Sequence, residues 1–168
     1  ELQRAAGAAE RLVELLATEP AITAPAAPRR LPVAPRGAVR FEAVEFAYPA
    51  RPGTPALRDV SLAVAPGEKL ALVGPSGAGK TTLFQLLLRY YDPQSGRVCL
   101  DGVDVRELEP RELRRHIALV PQDPVIFAAS VRDNVCYGRA GASEAEVEAA
   151  CRAAFAWEFI ERLPQGLA

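Results

Sequence analysis

A glycine-rich stretch that ends in a lysine and two threonines is the part of the chain best suited to chemistry. Residues 74–81 fill the pattern G-x-x-x-x-G-K-[ST]. In such a loop the backbone N–H groups surround phosphate oxygens, the lysine reaches the β- and γ-phosphates, and the threonine hydroxyl binds Mg²⁺. The pattern predicts a nucleotide-binding site with Mg²⁺, in which Thr81 is a metal ligand. Its residues are Gly74, Pro75, Ser76, Gly77, Ala78, Gly79, Lys80, Thr81 and Thr82.

The segments that flank this loop are those that such a site needs. The apolar run Leu70 to Val73 predicts a buried strand before the loop, and apolar residues at helical spacing predict a helix after it. The helix would point its free N–H groups at the anion. Left-handed backbone is expected at Gly74, Gly77 and Gly79. An accidental glycine-rich turn is the alternative, and the strand and helix on either side disfavour it.

Composition limits the other classes of function. The chain has 168 residues, of which 49% are apolar and 24% charged, so one globular core with a tail is expected. A formal net charge of -1 gives no reason to expect a nucleic acid as partner. Three separated cysteines and one histidine fit no metal-ligand spacing, which favours free thiols in a reducing cytoplasm. No run approaches the roughly 18 apolar residues of a membrane span.

Two segments precede the globular part. Residues 1–18 carry apolar residues at helical spacing and predict a helix without a capping residue at its start. Residues 19–37 contain five prolines among alanines and arginines and predict a semi-extended linker. Because the chain has no methionine, we expect it to be a piece of a longer protein. The helix would then be the cut end of a longer one, although a surface helix that begins here is the alternative.

The remaining pattern predicts a mixed α/β domain. Strands are predicted at 39–46, with a bulge, and at 57–64, 69–73, 97–100 and 116–120. Helices are predicted after the glycine-rich loop, from Glu109-Pro110, from Ser130, and from Ser143 through Trp157 to Leu163. Three strands in a row before a helix indicate an antiparallel layer beside a parallel nucleotide-binding sheet.

Four segments together resemble the first half of the nucleotide-binding domain of ABC transporters of the exporter type. They are Tyr48-Pro49, Leu57 to Gly67, the glycine-rich loop and Val120-Pro121-Gln122-Asp123. The resemblance covers about residues 37–168. It implies an α/β P-loop NTPase core with an antiparallel β layer, truncated before the family's signature segment. Residues 38–168 would be the first part of the ATP-binding domain, residues 19–37 its linker, and residues 1–18 the cytoplasmic extension of a membrane-domain helix.

Two further site residues follow from the resemblance. An aromatic residue upstream of the phosphate loop stacks on adenine in this family, and Tyr48 corresponds to it. Aromatic packing at a strand end is the alternative for Tyr48. The family's Q-loop glutamine, which touches the Mg²⁺ site and connects it to the membrane domain, corresponds to Gln122. A polar loop residue without a ligand is the alternative there.

The sequence departs from the family in what it lacks. The signature segment L-S-G-G-Q, the acidic strand ending in Asp-Glu, and the switch histidine are absent. No catalytic residue is therefore expected in this chain, and the fragment alone should be inactive. His116 is interpreted as structural. Three carboxylates are interpreted as solvated loop charges: Asp104, Glu109 and Asp123.

The resemblance implies the ATP-binding part of an exporter that couples ATP hydrolysis to transport. Its expected partners are ATP, Mg²⁺, a membrane-spanning domain of the same longer chain, and a second nucleotide-binding domain in a homodimer. The expected location is the cytoplasmic face of the cell inner membrane, with the fragment itself soluble. The alternative is a nucleotide-binding module of a soluble P-loop ATPase. Several 20-residue apolar spans upstream would favour the exporter.

Overall fold

The computed structural model describes residue 10 and residues 12–168, which divide into two compact units between Ala118 and Leu119. Residues 12–16 are helical, and most of the helix predicted at 1–18 lies outside the described residues. None of the described helices has both the length and the apolar character needed to cross a bilayer. The two units are described separately below.

The first unit contains a four-stranded antiparallel sheet. Its strands are β1 (Val39–Phe46), β2 (Leu57–Val64), β3 (Ser95–Leu100) and β4 (Val103–Asp104), in the order β2-β1-β3-β4. The strands predicted at 39–46, 57–64 and 97–100 are thus present. The predicted bulge in β1 is also confirmed, because its register with both neighbours shifts around Ala43, whose φ is 46°.

The bulge brings two backbones close together. A Cβ atom on Gly96 of β3 would lie 2.3 Å from the carbonyl oxygens of both Glu42 and Ala43. Only glycine therefore fits opposite the bulge. The result is a sheet whose inner face turns apolar residues of β1 and β3 toward one helix.

That helix is α1 (Lys80–Leu87), and it covers the inner face of the sheet. Its buried residues Leu83 and Leu86 join a core that the sheet supplies with Phe41, Val44, Phe46, Val98 and Leu100. A 3₁₀ turn at Val105–Glu107 and helix α2 (Pro110–Arg115) complete this unit. Pro110 occupies the first turn of α2, as predicted.

The C-terminal end of α1 is held by two arginines. Arg89, 6% exposed, donates to Asp92 Oδ1 at 3.1 Å and to the carbonyl of Leu108 at 3.1 Å. Arg114 of α2 donates to the carbonyls of Leu88 and Arg89, both at 2.9 Å. The two bonds from Arg114 satisfy carbonyls just past the end of α1 and join that end to α2, whereas Arg89 joins it to Asp92 and Leu108.

Two of the predicted strands are not formed. Residues 69–73 and 117–120 pair with no strand among the described residues, and Val73 and Val120 are 88% and 91% exposed. The expectation that Leu70 to Val73 form a buried strand is therefore wrong, and so is the strand at 116–120. An apolar run favours a strand, but the strand exists only where a neighbour accepts its hydrogen bonds. Among the described residues, the named strands pair only antiparallel, so the expected parallel sheet is absent there.

The segment before β1 is hydrogen-bonded to later residues of the first unit. Arg29 donates its backbone N–H to Glu107 O at 2.8 Å, and its side chain pairs with the Glu107 carboxylate at 2.9 Å. The Asp101 carboxylate accepts from the N–H groups of residues 36, 37 and 38 at 2.8, 3.1 and 2.8 Å. Burial acts to raise the pKa of Asp101, but these N–H groups outweigh it and hold the pKa below its ordinary value. The predicted boundaries of the linker, which separate it from the helix at residues 1–18 and from the domain at residues 38–168, stay a prediction.

The second unit contains three short helices. They are α3 (Val131–Cys136), α4 (Glu144–Ala153) and α5 (Trp157–Ile160). Ser130 caps α3, and Ser143 with Glu146 forms a full capping box at the start of α4. The helix predicted through to Leu163 is interrupted, because Phe155 adopts a φ of 55° and ends α4.

Candidate functional site

The glycine-rich loop follows the unpaired segment 69–73 and ends where α1 begins. Gly74, Gly77 and Gly79 have φ values of 150°, 80° and 85°, so the backbone takes the positive φ expected at all three. Residues 74–78 are exposed, which leaves the loop open to a ligand.

Gly79 sets where the helix begins. A Cβ atom at this position would lie 2.7 Å from both Ala56 O and Leu57 Cδ2. The loop therefore passes close against the start of β2, and only a residue without a side chain allows this approach. Gly77 has no such neighbour within 4 Å among the described residues, so close packing does not require glycine there.

The N-terminus of α1 lies at the end of the glycine-rich loop. Gly79 is the N-cap, no side chain caps the helix, and its first turn contains no acidic residue. The first N–H groups of a helix have no intrahelical partner, and the helix dipole adds about half a positive charge there. This end of α1 can therefore accept an anion.

Lys80 adds a full positive charge over the same loop. Its Nζ donates to the carbonyls of Gly74 and Pro75, both at 2.7 Å. Both partners are neutral backbone groups, so a phosphate could replace them and give the ammonium a negatively charged acceptor. The ammonium group is thus held at the loop in a position from which it can turn to an anion.

The two threonines of the loop have different environments. Thr81 is exposed, whereas Thr82 is 4% exposed and lies 2.8 Å from the Tyr48 hydroxyl. Thr81 can thus offer its oxygen to a metal. Among the described residues, no group of three or more His, Cys, Asp or Glu side chains could hold a metal. A single threonine hydroxyl still fits Mg²⁺, which is usually held by one or two protein oxygens together with phosphates and water.

Tyr48 lies beside α1, half-buried at the end of β1. Its ring meets Phe46 and Tyr91 edge to face, with centroids 5.0 and 5.4 Å apart, and its hydroxyl donates to Gln85 Oε1 at 2.7 Å. Packing on the sheet, the alternative stated above, is therefore present. Stacking of this ring on a base stays a prediction. The structure brings Tyr48 and Thr82 together, whereas Gln122 is exposed in the second unit.

Three titratable residues considered as catalysts have structural contacts. Asp104 caps the 3₁₀ turn and pairs with Arg106 at 2.7 Å; burial acts to raise its pKa, but Arg106 outweighs this and lowers it. Glu109 caps α2, and the backbone N–H of Arg111 contributes most to lowering its pKa. His116 Nε2 lies 3.4 Å from Glu112 Oε1. These contacts give Asp104 and Glu109 capping functions, rather than the solvated state expected of them.

Two residues near the site were missed. Gln85 accepts the Tyr48 hydroxyl, and the Gln94 side chain bonds both backbone groups of Ala47. Thr82 and Gln85 are three residues apart in a predicted helix, and residues at this spacing lie on the same face. The spacing could therefore have indicated that both contact the same partner. The spacing of Gln94 carried no such signal.

We expect Tyr48→Ala to weaken ATP binding by roughly 1 to 2 kcal/mol, as for the loss of one aromatic–base stack. GTP should weaken by a similar amount, because stacking tolerates different bases. Equilibrium titration of both nucleotides against the wild-type protein and the variant measures this. A loss confined to ATP would indicate hydrogen-bond recognition of the base and contradict stacking.

Comparisons with known proteins show which family the chain resembles. The family model described as ABC transporter matches residues 57–166. The ABC multidrug transporter mdr2 of Aspergillus fumigatus is 42% identical over 167 residues, 99% of this chain and 21% of that protein. The ATP-dependent lipid A-core flippase of Thiobacillus denitrificans is 50% identical over 139 residues, 82% of this chain and 24% of that protein.

A solved structure shows the same similarity in three dimensions. A bacterial Atm1-family ABC exporter with ATP bound superimposes with a TM-score of 0.85 at 41% identity. The match covers 98% of this chain and 28% of that one. The chain thus spans about a quarter of the length of these three proteins.

Proposed function

Because the chain belongs to the ABC transporter family as a nucleotide-binding domain homologous to those of exporters, we propose that it couples ATP to export across a membrane. ATP would bind with its phosphates in the loop 74–82 and its adenine against Tyr48. Binding and hydrolysis would move a substrate through the membrane part of a longer protein. The substrate class lies outside what these residues recognise.

One observation gives the main support for the proposed phosphate site. Lys80 Nζ is held 2.7 Å from two loop carbonyls, at the uncapped N-terminus of α1. A triphosphate would meet both the helix N–H groups and the ammonium there, and charge-assisted bonds of this kind contribute about 1.5 to 3 kcal/mol each. Both features favour an anion over a neutral ligand.

Thr81 and Gln122 are the proposed metal ligands. Thr81 would give its hydroxyl oxygen and Gln122 its amide oxygen to Mg²⁺. When bound, Mg²⁺ neutralises charge that develops on the phosphates during transfer. The prolines at 121 and 124 flank Gln122 closely and restrict the backbone of its loop.

Hydrolysis is proposed for the longer protein rather than for this chain alone. Asp104 and Glu109 are engaged as helix caps, and His116 lies beside Glu112. We assign none of them as the base that activates water. The chain by itself is therefore proposed to bind ATP at best weakly and to show no turnover above background.

The partners follow from the same proposal. We propose a membrane-spanning domain on the same longer chain, a second nucleotide-binding domain in a homodimer, and a location at the cytoplasmic face of the inner membrane. Residues 1–18 and 19–37 would be the helix extension and the linker that lead to residues 38–168. Transporters that align with up to 99% of this chain, at 42% identity, support this reading over a soluble P-loop ATPase.

Gln122→Ala in the full-length protein should separate ATP binding from coupling. ATP affinity should stay within about threefold, under 1 kcal/mol, because the loop 74–82 keeps its contacts. Stimulation of ATP hydrolysis by transported substrate should fall about tenfold, since the link to the membrane domain is lost. ATP affinity and ATPase rate, each with and without transported substrate, measure both effects.

Gln165→Ala is the matched control. Gln165 is an exposed glutamine of the same unit, and its described contact is a backbone bond to Ala168. It should behave as wild type in both measurements. Full stimulation by substrate in Gln122→Ala would remove the coupling role from Gln122.

A further inference from the structure

The Tyr48 hydroxyl is bound on two sides by helix α1. It donates its proton to Gln85 Oε1 at 2.7 Å and lies 2.8 Å from Thr82 Oγ1. A phenol has a single proton to give, so the Thr82 hydroxyl is the donor of the second bond. Thr82 is 4% exposed, which fixes its side chain by packing. The phenol oxygen is therefore held by two side chains one turn apart on one helix.

The rest of the side chain is held as well. The rings of Phe46 and Tyr91 lie nearly perpendicular to the Tyr48 ring, at 77° and 88°. Phe46 is 2% exposed, so it is a rigid neighbour. The Gln94 amide accepts from Ala47 N at 2.8 Å and donates to Ala47 O at 2.9 Å, which fixes the backbone just before Tyr48. Both ends of this aromatic residue are thus restrained.

We infer that Gln85 is a positioning residue that fixes the orientation of the Tyr48 ring before a nucleotide arrives. The inference rests on the proposed stacking of Tyr48 on the base. Gln85 would act through its bond to Tyr48 rather than by a contact of its own with the nucleotide. Its amide oxygen removes the rotation that a half-buried ring would otherwise keep, and Thr82 connects the same hydroxyl to the first turn of α1.

Preorganisation of the ring determines the size of the effect. A mobile side chain loses rotational freedom when a base stacks on it, and this loss typically weakens binding severalfold. A side chain that is already immobile avoids the loss. Removing the Gln85 acceptor should therefore cost a few-fold in ATP affinity, less than removing the ring. The effect should be confined to ligands that carry a base.

The experiment compares two ligands in the full-length protein, MgATP and magnesium tripolyphosphate, which has no base. Gln85→Leu should weaken MgATP about threefold and leave tripolyphosphate unchanged. Tyr48→Phe, which keeps the ring and loses the hydroxyl, should weaken MgATP about threefold to fivefold. Gln85→Leu should add nothing in the Tyr48→Phe background, because the two substitutions remove the same bond.

Gln85→Glu is the conservative rescue. A carboxylate still accepts the Tyr48 hydroxyl, so the ratio of MgATP to tripolyphosphate affinity should return to the wild-type value. The new carboxylate repels both phosphate ligands, so its effect on their affinities cancels in the ratio of MgATP to tripolyphosphate affinity. Should Gln85→Leu fail to fold, Tyr48→Phe and Gln85→Glu decide the question alone.

Three results would overturn the inference. If Tyr48→Ala weakens MgATP while Gln85→Leu and Tyr48→Phe keep the wild-type ratio, positioning is wrong and stacking stands. Equal losses for MgATP and tripolyphosphate in Gln85→Leu would mean a general distortion of α1. If Tyr48→Ala has no effect either, stacking is wrong and positioning with it, whereas tripolyphosphate binding still reports on the phosphate site.

Discussion

Lys80→Ala should lower the affinity for MgATP at least a hundredfold, which corresponds to about 2.7 kcal/mol. The variant loses the ammonium group that lies 2.7 Å from the Gly74 and Pro75 carbonyls and would turn to the β- and γ-phosphates. Two charge-assisted bonds of about 1.5 to 3 kcal/mol each account for an effect of this size. Equilibrium binding of a fluorescent ATP analogue to both forms of the full-length protein measures it.

The control is the other lysine of the chain. Lys69 is exposed and precedes the loop, so Lys69→Ala removes the same charge without removing a proposed phosphate contact. It should bind ATP as wild type does. Equal affinities for wild type and Lys80→Ala would refute the phosphate site, and equal losses for both lysine variants would reduce it to a general charge effect.

Gly79→Ala should weaken MgATP binding about 30-fold and lower the free energy of unfolding by about 2 kcal/mol. Alanine at a φ of 85° costs about 1 to 2 kcal/mol in strain, and its Cβ would lie 2.7 Å from the Ala56 carbonyl. Because that carbonyl is backbone, the start of α1 must move and take Lys80 with it. ATP titration and denaturant unfolding measure the two effects.

Gly77→Ala separates the effect of backbone strain from that of a steric clash between the added Cβ and β2. Its φ of 80° imposes similar strain, but nothing lies within 4 Å of the added Cβ. We expect a several-fold smaller loss of affinity than for Gly79→Ala. If the two variants behave alike, the close approach to β2 does not position the helix.

Elements with local determinants were predicted correctly from the sequence. The first two strands show alternating apolar residues, and their bounds agree with the structure. Helix starts were likewise recognisable, because Ser143 with Glu146 and the proline at 110 act within one turn of chain. In these segments a few neighbouring residues determine the backbone.

Elements that depend on a distant partner were not predictable in the same way. The runs 69–73 and 117–120 are apolar enough for strands, yet the described residues offer them no ladder. The interruption of the last helix at Phe155 depends on a single residue at a φ of 55°. A hydrophobic pattern indicates that a segment tends to be buried, whereas tertiary contacts decide whether it pairs with another strand.

The candidate site shows the same distinction. The loop 74–82 is recognisable because its glycines and lysine act through one short stretch of backbone. Gln85 was missed because its bond to Tyr48 joins residues 37 apart along the chain. Tyr48 itself was found only through the family resemblance, since an aromatic residue at the end of a strand is common in any sheet.

The most direct test is a structure of the full-length protein with a non-hydrolysable ATP analogue and Mg²⁺. We expect Lys80 Nζ to leave the carbonyls of Gly74 and Pro75 and to lie about 2.8 Å from β- and γ-phosphate oxygens. Thr81 Oγ1 should lie about 2.1 Å from Mg²⁺. A nucleotide bound elsewhere, with Lys80 Nζ still bonded to the two carbonyls, would contradict the proposed phosphate site.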